Sequence, residues 1–190
     1  MKTLIGMTFL AVTLWAHPHV FVDAKLRIFT GANGVEKIAV TWVMDEMTSQ
    51  LFLMDFDANA NGKLEPDEVA FMKQESFNHL IDYNYFLRLF IDGREAPLNV
   101  QAQNFTPAIE NHRLVYRFEL PRQTPLKPGQ KMRIQVADEE GYMAMTLKKS
   151  DVAFEGAAQP DFSVKQIDHE FYYAWVVDFA RSANQKLAAR

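Results

Sequence analysis

The first regular feature of the chain is an alternation of apolar and polar side chains over residues 19–30. A period of two residues predicts a half-buried strand. A turn follows, and a second apolar run over 35–44 predicts a partner strand. Pairing Ile28 with Ile38 keeps the apolar positions of both strands on one face, which a slip of one residue would destroy. This register places Asp45 beside the beginning of the first strand.

Beyond the second strand the period changes to that of a helix. Apolar side chains three and four residues apart predict one helix over 46–56 and a second over 66–82, with proline in its first turn. After residue 85 short β-type runs and turns alternate, which is typical of a sandwich. The pattern of apolar and polar residues over 174–190 predicts a short amphipathic helix. The fold class expected is α+β, with an antiparallel β-sandwich-like core, a helical insert at about 46–83 and a short C-terminal helix.

The N-terminus has the composition of a secretory signal peptide. Lys2 supplies a positive charge, and an apolar stretch ends at Ala16 and is too short to span a membrane. We expect residues 1–16 to be removed, so that 17–190 form one periplasmic domain. A retained signal anchor is the alternative. No later stretch has the ~18 consecutive apolar residues of a membrane helix, so the processed chain is not expected to span a membrane.

The segment 57–68, between the two predicted helices, matches the twelve-residue loop of an EF-hand position by position. The oxygen ligands are expected to be the side chains of Asp57, Asn59, Asn61, Glu65 and Glu68 and the backbone carbonyl of Lys63. Gly62 occupies the sharp turn, where the loop needs a backbone without Cβ. Calcium is a hard cation that takes six to eight oxygens, so the segment predicts a Ca²⁺ site with Kd of about 10⁻⁴–10⁻³ M. The alternative is a polar link between two helices that binds no ion.

A second candidate site lies at the expected start of the processed chain. In an extended conformation His17 and His19 point to the same side, and two imidazoles can bind Zn²⁺, Ni²⁺ or Co²⁺. The predicted hairpin brings Asp45 and Glu46 close enough to complete a site of two histidines and a carboxylate. The alternative reading is that His19 is a polar residue on the solvent face of a strand and His17 belongs to a tail.

The amino-acid composition of the chain argues against several classes of function. The 190 residues contain no cysteine and carry a formal net charge of −4. Thiolate chemistry is thereby excluded, and the absence of a basic run argues against nucleic-acid binding. No nucleophile motif, phosphate-binding loop or dinucleotide fingerprint occurs, so we expect no enzymatic activity. We interpret the methionines of the apolar positions as core-filling residues; these are Met44, Met47, Met54, Met143 and Met145.

Together these features resemble the family known as domain of unknown function 1007. The resemblance rests on the signal peptide, on His-Pro-His-Val-Phe-Val-Asp at 17–23, on Val-Thr-Trp-Val-Met-Asp-Glu at 40–46, and on the loop at 57–68. It implies a periplasmic accessory of a divalent transition-metal (zinc, nickel or cobalt) transport system, with an inner-membrane metal permease as partner. In that role His17 and His19 would capture the ion. The alternative is a calcium-stabilised structural or interaction module with no transition-metal role.

Overall fold

Two β-sheets dominate the computed structural model, which describes residues 20–157 and 159–182. The strands of this part of the chain are β1 (Val20–Gly31), β2 (Gly34–Met44), β3 (Leu87–Ile91), β4 (Arg94–Ala96), β5 (Gln103–Glu110), β6 (Arg113–Leu120), β7 (Thr124–Pro125), β8 (Lys131–Val136), β9 (Met143–Thr146), β10 (Val152–Gly156), β11 (Phe162–Asp168) and β12 (Tyr173–Ala180). The helices are α1 (Glu46–Phe56) and α2 (Pro66–Glu75), with 3₁₀ segments at Phe77–Phe86 and Lys149–Asp151. The predicted signal peptide, His17 and His19 lie outside the described residues.

The first sheet has the order β10-β1-β2-β6-β5, with β9 also paired to β1 and β7 to β2. The predicted register of β1 and β2 is confirmed, because Ile28 pairs with Ile38 and the pairing continues to Val22 and Met44. On its other edge β1 runs parallel to β9 and β10, which come from the far end of the chain. The N-terminal strand therefore lies inside the sheet.

The second sheet has the order β11-β12-β8-β3-β4, and all of its pairings are antiparallel. One apolar cluster joins the facing sides of the two sheets, as in a sandwich. At its centre Trp42 of β2 is 1% exposed and packs edge-on against Phe118 of β6, with ring centroids 5.1 Å apart. The expected sandwich-like core is thus present.

The two α-helices and the longer 3₁₀ segment lie between β2 and β3 and cover one end of the first sheet. Thr48, Ser49 and Phe56 are the buried side chains of α1. Phe77, at the start of the 3₁₀ segment, is 2% exposed and stacks on Phe105 of β5 with centroids 3.9 Å apart. These contacts attach the helical segment to the edge strand β5 and to β6.

The α+β fold class expected from the sequence is wrong. Strands make up 49% of the described residues and helices 21%, so the protein is mostly β. The predicted C-terminal helix is replaced, as far as the chain is described, by the strand β12. This strand packs apolar side chains on both faces, Val176 and Val177 being almost fully buried, and such a run lacks the period that separates strand from helix.

The expectation of an EF-hand helix-loop-helix within this fold is also not met. The second helix ends at Glu75, seven residues earlier than predicted, and the chain continues as a 3₁₀ segment. Two methionines interpreted as core residues lie on the surface of α1, where Met47 is 58% and Met54 81% exposed. Met44 and Met145 are buried as expected.

Candidate metal site

The loop between α1 and α2 is organised by the carboxylate of Asp57, the residue that ends α1. Its backbone N–H donates to the carbonyl of Leu53, and its Oδ1 and Oδ2 accept the N–H groups of Asn61 and Gly62 at 3.1 and 2.9 Å. Gly62 has φ +75°, and nothing lies within 4 Å of the place a Cβ would occupy. The glycine is therefore required by its left-handed backbone and not by lack of space.

The carboxylate of Glu68 closes the loop from the other side. Its Oε1 accepts the N–H of Ala58 at 2.9 Å, and its Oε2 accepts the N–H of Glu65 at 3.0 Å. Glu65 is the N-cap of α2, and the hydrogen bonds between Glu65 and Glu68 are reciprocal, as in a capping box. A single buried side chain thus joins the first residues of the loop to the first turn of the next helix.

Glu65 is held by the two asparagines of the loop. The side-chain amides of Asn59 and Asn61 donate to its oxygens at 3.2 and 2.7 Å. The hydrogen bond from Asn61, followed by the one shared with Glu68, lowers the pKa of Glu65 from 4.5 to about 2. Glu65 is therefore ionised over the whole physiological range. The carbonyl oxygen of Asn61 accepts the N–H of Lys63 at 2.8 Å.

The loop concentrates negative charge, and no cationic side chain of the described part of the chain forms an ion pair with it. Asp57 is 9% and Glu68 7% exposed, so both carboxylates are largely removed from water. None of the ion pairs between described residues includes Asp57, Glu65 or Glu68. Leu64 packs against the apolar core and attaches the loop to it.

The six predicted calcium ligands are neighbours in this loop, and they satisfy one another with hydrogen bonds. No group of three or more His, Cys, Asp or Glu side chains within residues 20–157 and 159–182 is arranged to hold a metal ion. The amide nitrogens of Asn59 and Asn61 donate to Glu65, and their carbonyl oxygens accept the backbone N–H groups of Asn61 and Lys63. Ion binding would require those amides to rotate.

Of the second candidate site, proposed for a transition metal, the structure describes only Asp45 and Glu46. Asp45 is the N-cap of α1, and its Oδ1 accepts the N–H of Thr48 at 2.6 Å. Its backbone N–H donates to the carbonyl of Phe21 at 3.0 Å, which places it beside the start of β1 as predicted. Glu46 is exposed in the first helical turn. Asp45 is thus committed to capping α1, whereas no hydrogen bond or ion pair between described residues engages the carboxylate of Glu46.

A polar groove that the sequence did not reveal crosses the outer face of the second sheet and has a volume of about 760 Å³. In it Arg133 binds Asp178 through two hydrogen bonds, of 2.7 and 2.9 Å, and Arg88 binds Glu95 and Glu139. The two arginines are therefore already neutralised by carboxylates of the same chain. The sequence does not reveal this groove because residues 174–180 are predicted as part of a helix, which hides the strand pairing of Arg133 with Asp178.

No helix among the described residues is long and apolar enough to cross a membrane.

Comparison with known proteins identifies relatives of this chain. A family model described as "Protein of unknown function (DUF1007)" matches residues 3–171. An uncharacterised protein of Haemophilus influenzae is 25% identical over 165 residues, covering 84% of this chain and 78% of that protein. An uncharacterised 15.5 kDa protein from the trpE 3′ region of Spirochaeta aurantia is 30% identical over 100 residues, covering 52% of this chain and 69% of that protein.

Proposed function

The chain belongs to the DUF1007 family, and we propose that it is a non-enzymatic, periplasmic metal-binding protein whose loop 57–68 binds Ca²⁺. The observation that carries the proposal is the pair of buried carboxylates, Asp57 and Glu68, which receive backbone N–H groups but form no ion pair with any cationic side chain of residues 20–157 and 159–182. Burying carboxylate charge without a counterion is costly. A divalent cation bound by oxygen ligands would remove that cost.

The chemistry of the loop selects calcium over softer ions. The oxygen donors are carboxylates, asparagine carbonyls and the Lys63 backbone carbonyl, and no histidine or thiolate lies in the segment. Such an all-oxygen set suits Ca²⁺. Only Asp57, Glu65 and Glu68 contribute charge, so we expect weak binding, with Kd of about 10⁻⁴–10⁻³ M. The ion would stabilise the connection between α1 and α2.

The test is thermal unfolding with and without Ca²⁺, together with calorimetric titration. In 10 mM Ca²⁺ a site of this affinity adds about 1.4–2.7 kcal/mol to the free energy of unfolding. Glu68→Gln should abolish the calcium-dependent part, whatever its effect on the absolute Tm. Asp67→Asn is the matched control, because Asp67 is an exposed carboxylate one residue earlier in the same helical turn. Equal Tm with and without Ca²⁺ in the unmodified chain would refute the site.

We further propose that the protein serves a divalent transition-metal transport system, delivering Zn²⁺, Ni²⁺ or Co²⁺ to an inner-membrane permease. His17 and His19 are the expected ligands, with Asp45 or Glu46 as a candidate carboxylate ligand. The supporting observation is that β1 begins one residue after His19 and hydrogen-bonds to Asp45 at the start of α1. Neutral imidazole is the binding form, so affinity should fall below about pH 6.5.

Calorimetric titration with Zn²⁺, Ni²⁺ and Co²⁺ in saturating Ca²⁺ tests this role. Micromolar binding should disappear in His17→Ala/His19→Ala and persist in the control His79→Ala, whose imidazole belongs to the 3₁₀ segment between α2 and β3. Unchanged binding in the first variant would reassign the site. Calcium-dependent stability without transition-metal binding would favour the alternative, a calcium-stabilised structural or interaction module.

A further inference from the structure

Helix α1 exposes the apolar stripe that its sequence period predicts. Met47, Leu51 and Met54 are 58%, 56% and 81% exposed. At 100° per residue these three side chains fall within about 60° of one another around the helix axis. The side chains that anchor α1 to the fold, among them Ser49 and Phe56, lie on the opposite side.

The apolar stripe is confined to α1. Phe71 of α2 is also exposed, at 52%, but its ring packs 5.6 Å from that of Phe56, on the opposite side of α1 from the stripe. Three large apolar side chains in a row on one exposed helix face cost solvation free energy in a monomer and are typical of an interaction surface. Methionine side chains are flexible and polarisable, which lets such a surface adapt to its partner.

The charge around the stripe specifies the kind of partner. Residues 45–76 contain eight Asp and Glu and only two Lys, a net charge of −6, whereas the whole chain carries −4. On the helix itself Glu46 and Asp55 lie on either side of the stripe, and both are exposed. A bound Ca²⁺ would leave the segment at −4. The surface is therefore an apolar row bordered by negative charge.

We propose that this surface, the α1 stripe of Met47, Leu51 and Met54, binds a cationic amphipathic helix of a partner protein. An amphipathic helix would place its apolar face on the stripe and its Lys and Arg against the flanking carboxylates. A second copy of this chain would bring two segments of −6 together and is disfavoured by repulsion. An anionic membrane surface is disfavoured for the same reason. The inference does not require an ion at either proposed metal site, although several of the carboxylates counted here belong to those sites.

The test uses a labelled synthetic peptide, LKKLLKLLKKLLKL, whose binding to the purified chain is followed by fluorescence anisotropy. Saturable binding with micromolar Kd is expected, and Met47→Ser/Leu51→Ser/Met54→Ser should weaken it at least about tenfold. The matched control is Phe171→Ser/Tyr173→Ser, which removes exposed aromatics outside α1 (79% and 58% exposed) and should change Kd less than about twofold. The acidic counterpart LEELLELLEELLEL should bind at least about tenfold more weakly.

Several results would overturn the proposal. The first is no saturable binding, and the second is binding that the α1 variant leaves unchanged. Equal affinity for the acidic peptide would remove the charge argument. A dimer in sedimentation velocity that the α1 variant dissociates would assign the stripe to self-association. Co-sedimentation with phosphatidylcholine–phosphatidylglycerol vesicles that the variant abolishes would assign it to a membrane. Binding that appears only after removal of residues 1–19 would assign it to that segment.

Discussion

Ser49 connects α1 to the first sheet, and its replacement by alanine isolates the strength of that connection. The residue is fully buried. Its Oγ donates to the carbonyl of Asp45 at 2.5 Å and accepts the N–H of Leu114 at 2.8 Å. The pairing of β2 with β6 ends at Val43 and Val115. Beyond this pair, β2 has ended and α1 has begun, so no β2 carbonyl accepts the N–H of Leu114. The Oγ of Ser49 is the acceptor in its place.

The cost of Ser49→Ala follows from the group left behind. The N–H of Leu114 becomes a buried donor without a partner, since Leu114 is fully buried as well. Leaving a buried donor unsatisfied costs about 1–3 kcal/mol. Alanine has a higher helix propensity than serine, and this difference stabilises the variant by about 0.5 kcal/mol. The expected net loss is about 1.5 kcal/mol in the free energy of unfolding, which for a chain of this size lowers Tm by about 3–6 °C.

The assay is urea unfolding followed by tryptophan fluorescence, with Gln50→Ala as the control. Gln50 is the exposed neighbour on the same helix, so its replacement should change stability by less than about 0.5 kcal/mol. The m-value should stay the same in both variants, because the surface exposed on unfolding is unchanged. If Ser49→Ala lies within about 0.5 kcal/mol of Gln50→Ala, the hydrogen bond to Leu114 does not anchor the helix.

Three further outcomes are expected. Gly156→Ala should prevent stable folding at 37 °C, measured by circular dichroism, because Gly156 has φ +100° and an added Cβ would lie 2.1 Å from the carbonyl oxygen of Thr30. Phe77→Ala should cost about 3–5 kcal/mol in chemical denaturation, since this ring is buried among other aromatics. The hydrogen bond from Lys37 lowers the pKa of Glu119, so Glu119 stabilises the fold above its unfolded pKa and loses that contribution as pH falls through its folded pKa. Glu119→Gln should therefore cost up to about 1 kcal/mol at pH 7, and this cost should diminish as the pH falls through the folded pKa of Glu119 when the two unfolding curves are compared.

The parts of the fold that the sequence predicts are those in which one period dominates. The register of β1 with β2 is correct because the alternating apolar positions permit only one alignment. The bounds of α1 are correct although its apolar stripe faces solvent, because the period identifies a helix and not the side on which it packs. The side of α1 that faces the fold carries the small polar residues Thr48 and Ser49. The sequence of the helix alone does not show that Ser49 binds Leu114 of β6.

The strands that the sequence does not predict, β5 and β12, have local sequence patterns that are not typical of a strand. β12 is a run of apolar residues covered on both faces, and its sequence contains no period to distinguish it from a helix. β5 contains Pro107, which cannot donate a ladder hydrogen bond, and it is tolerated because β5 is the edge strand of its sheet. In the candidate loop the choice of ligand types was readable from the sequence, whereas the burial of Asp57 and Glu68 and their bonding to backbone N–H groups depend on the packing of both helices.

The position of β1 between β2 and the pair β9 and β10 has a consequence for the order of synthesis. Leu26 pairs with Val152, across 126 positions of the chain. Until residues 143–156 have left the ribosome, the inner edge of β1 has no partner and the first sheet cannot close. Contacts of such sequence separation form late and slowly. A chain that ends before β9 therefore lacks the strands that pair with the second edge of β1, and the first sheet can be completed only after residues 143–156 are available.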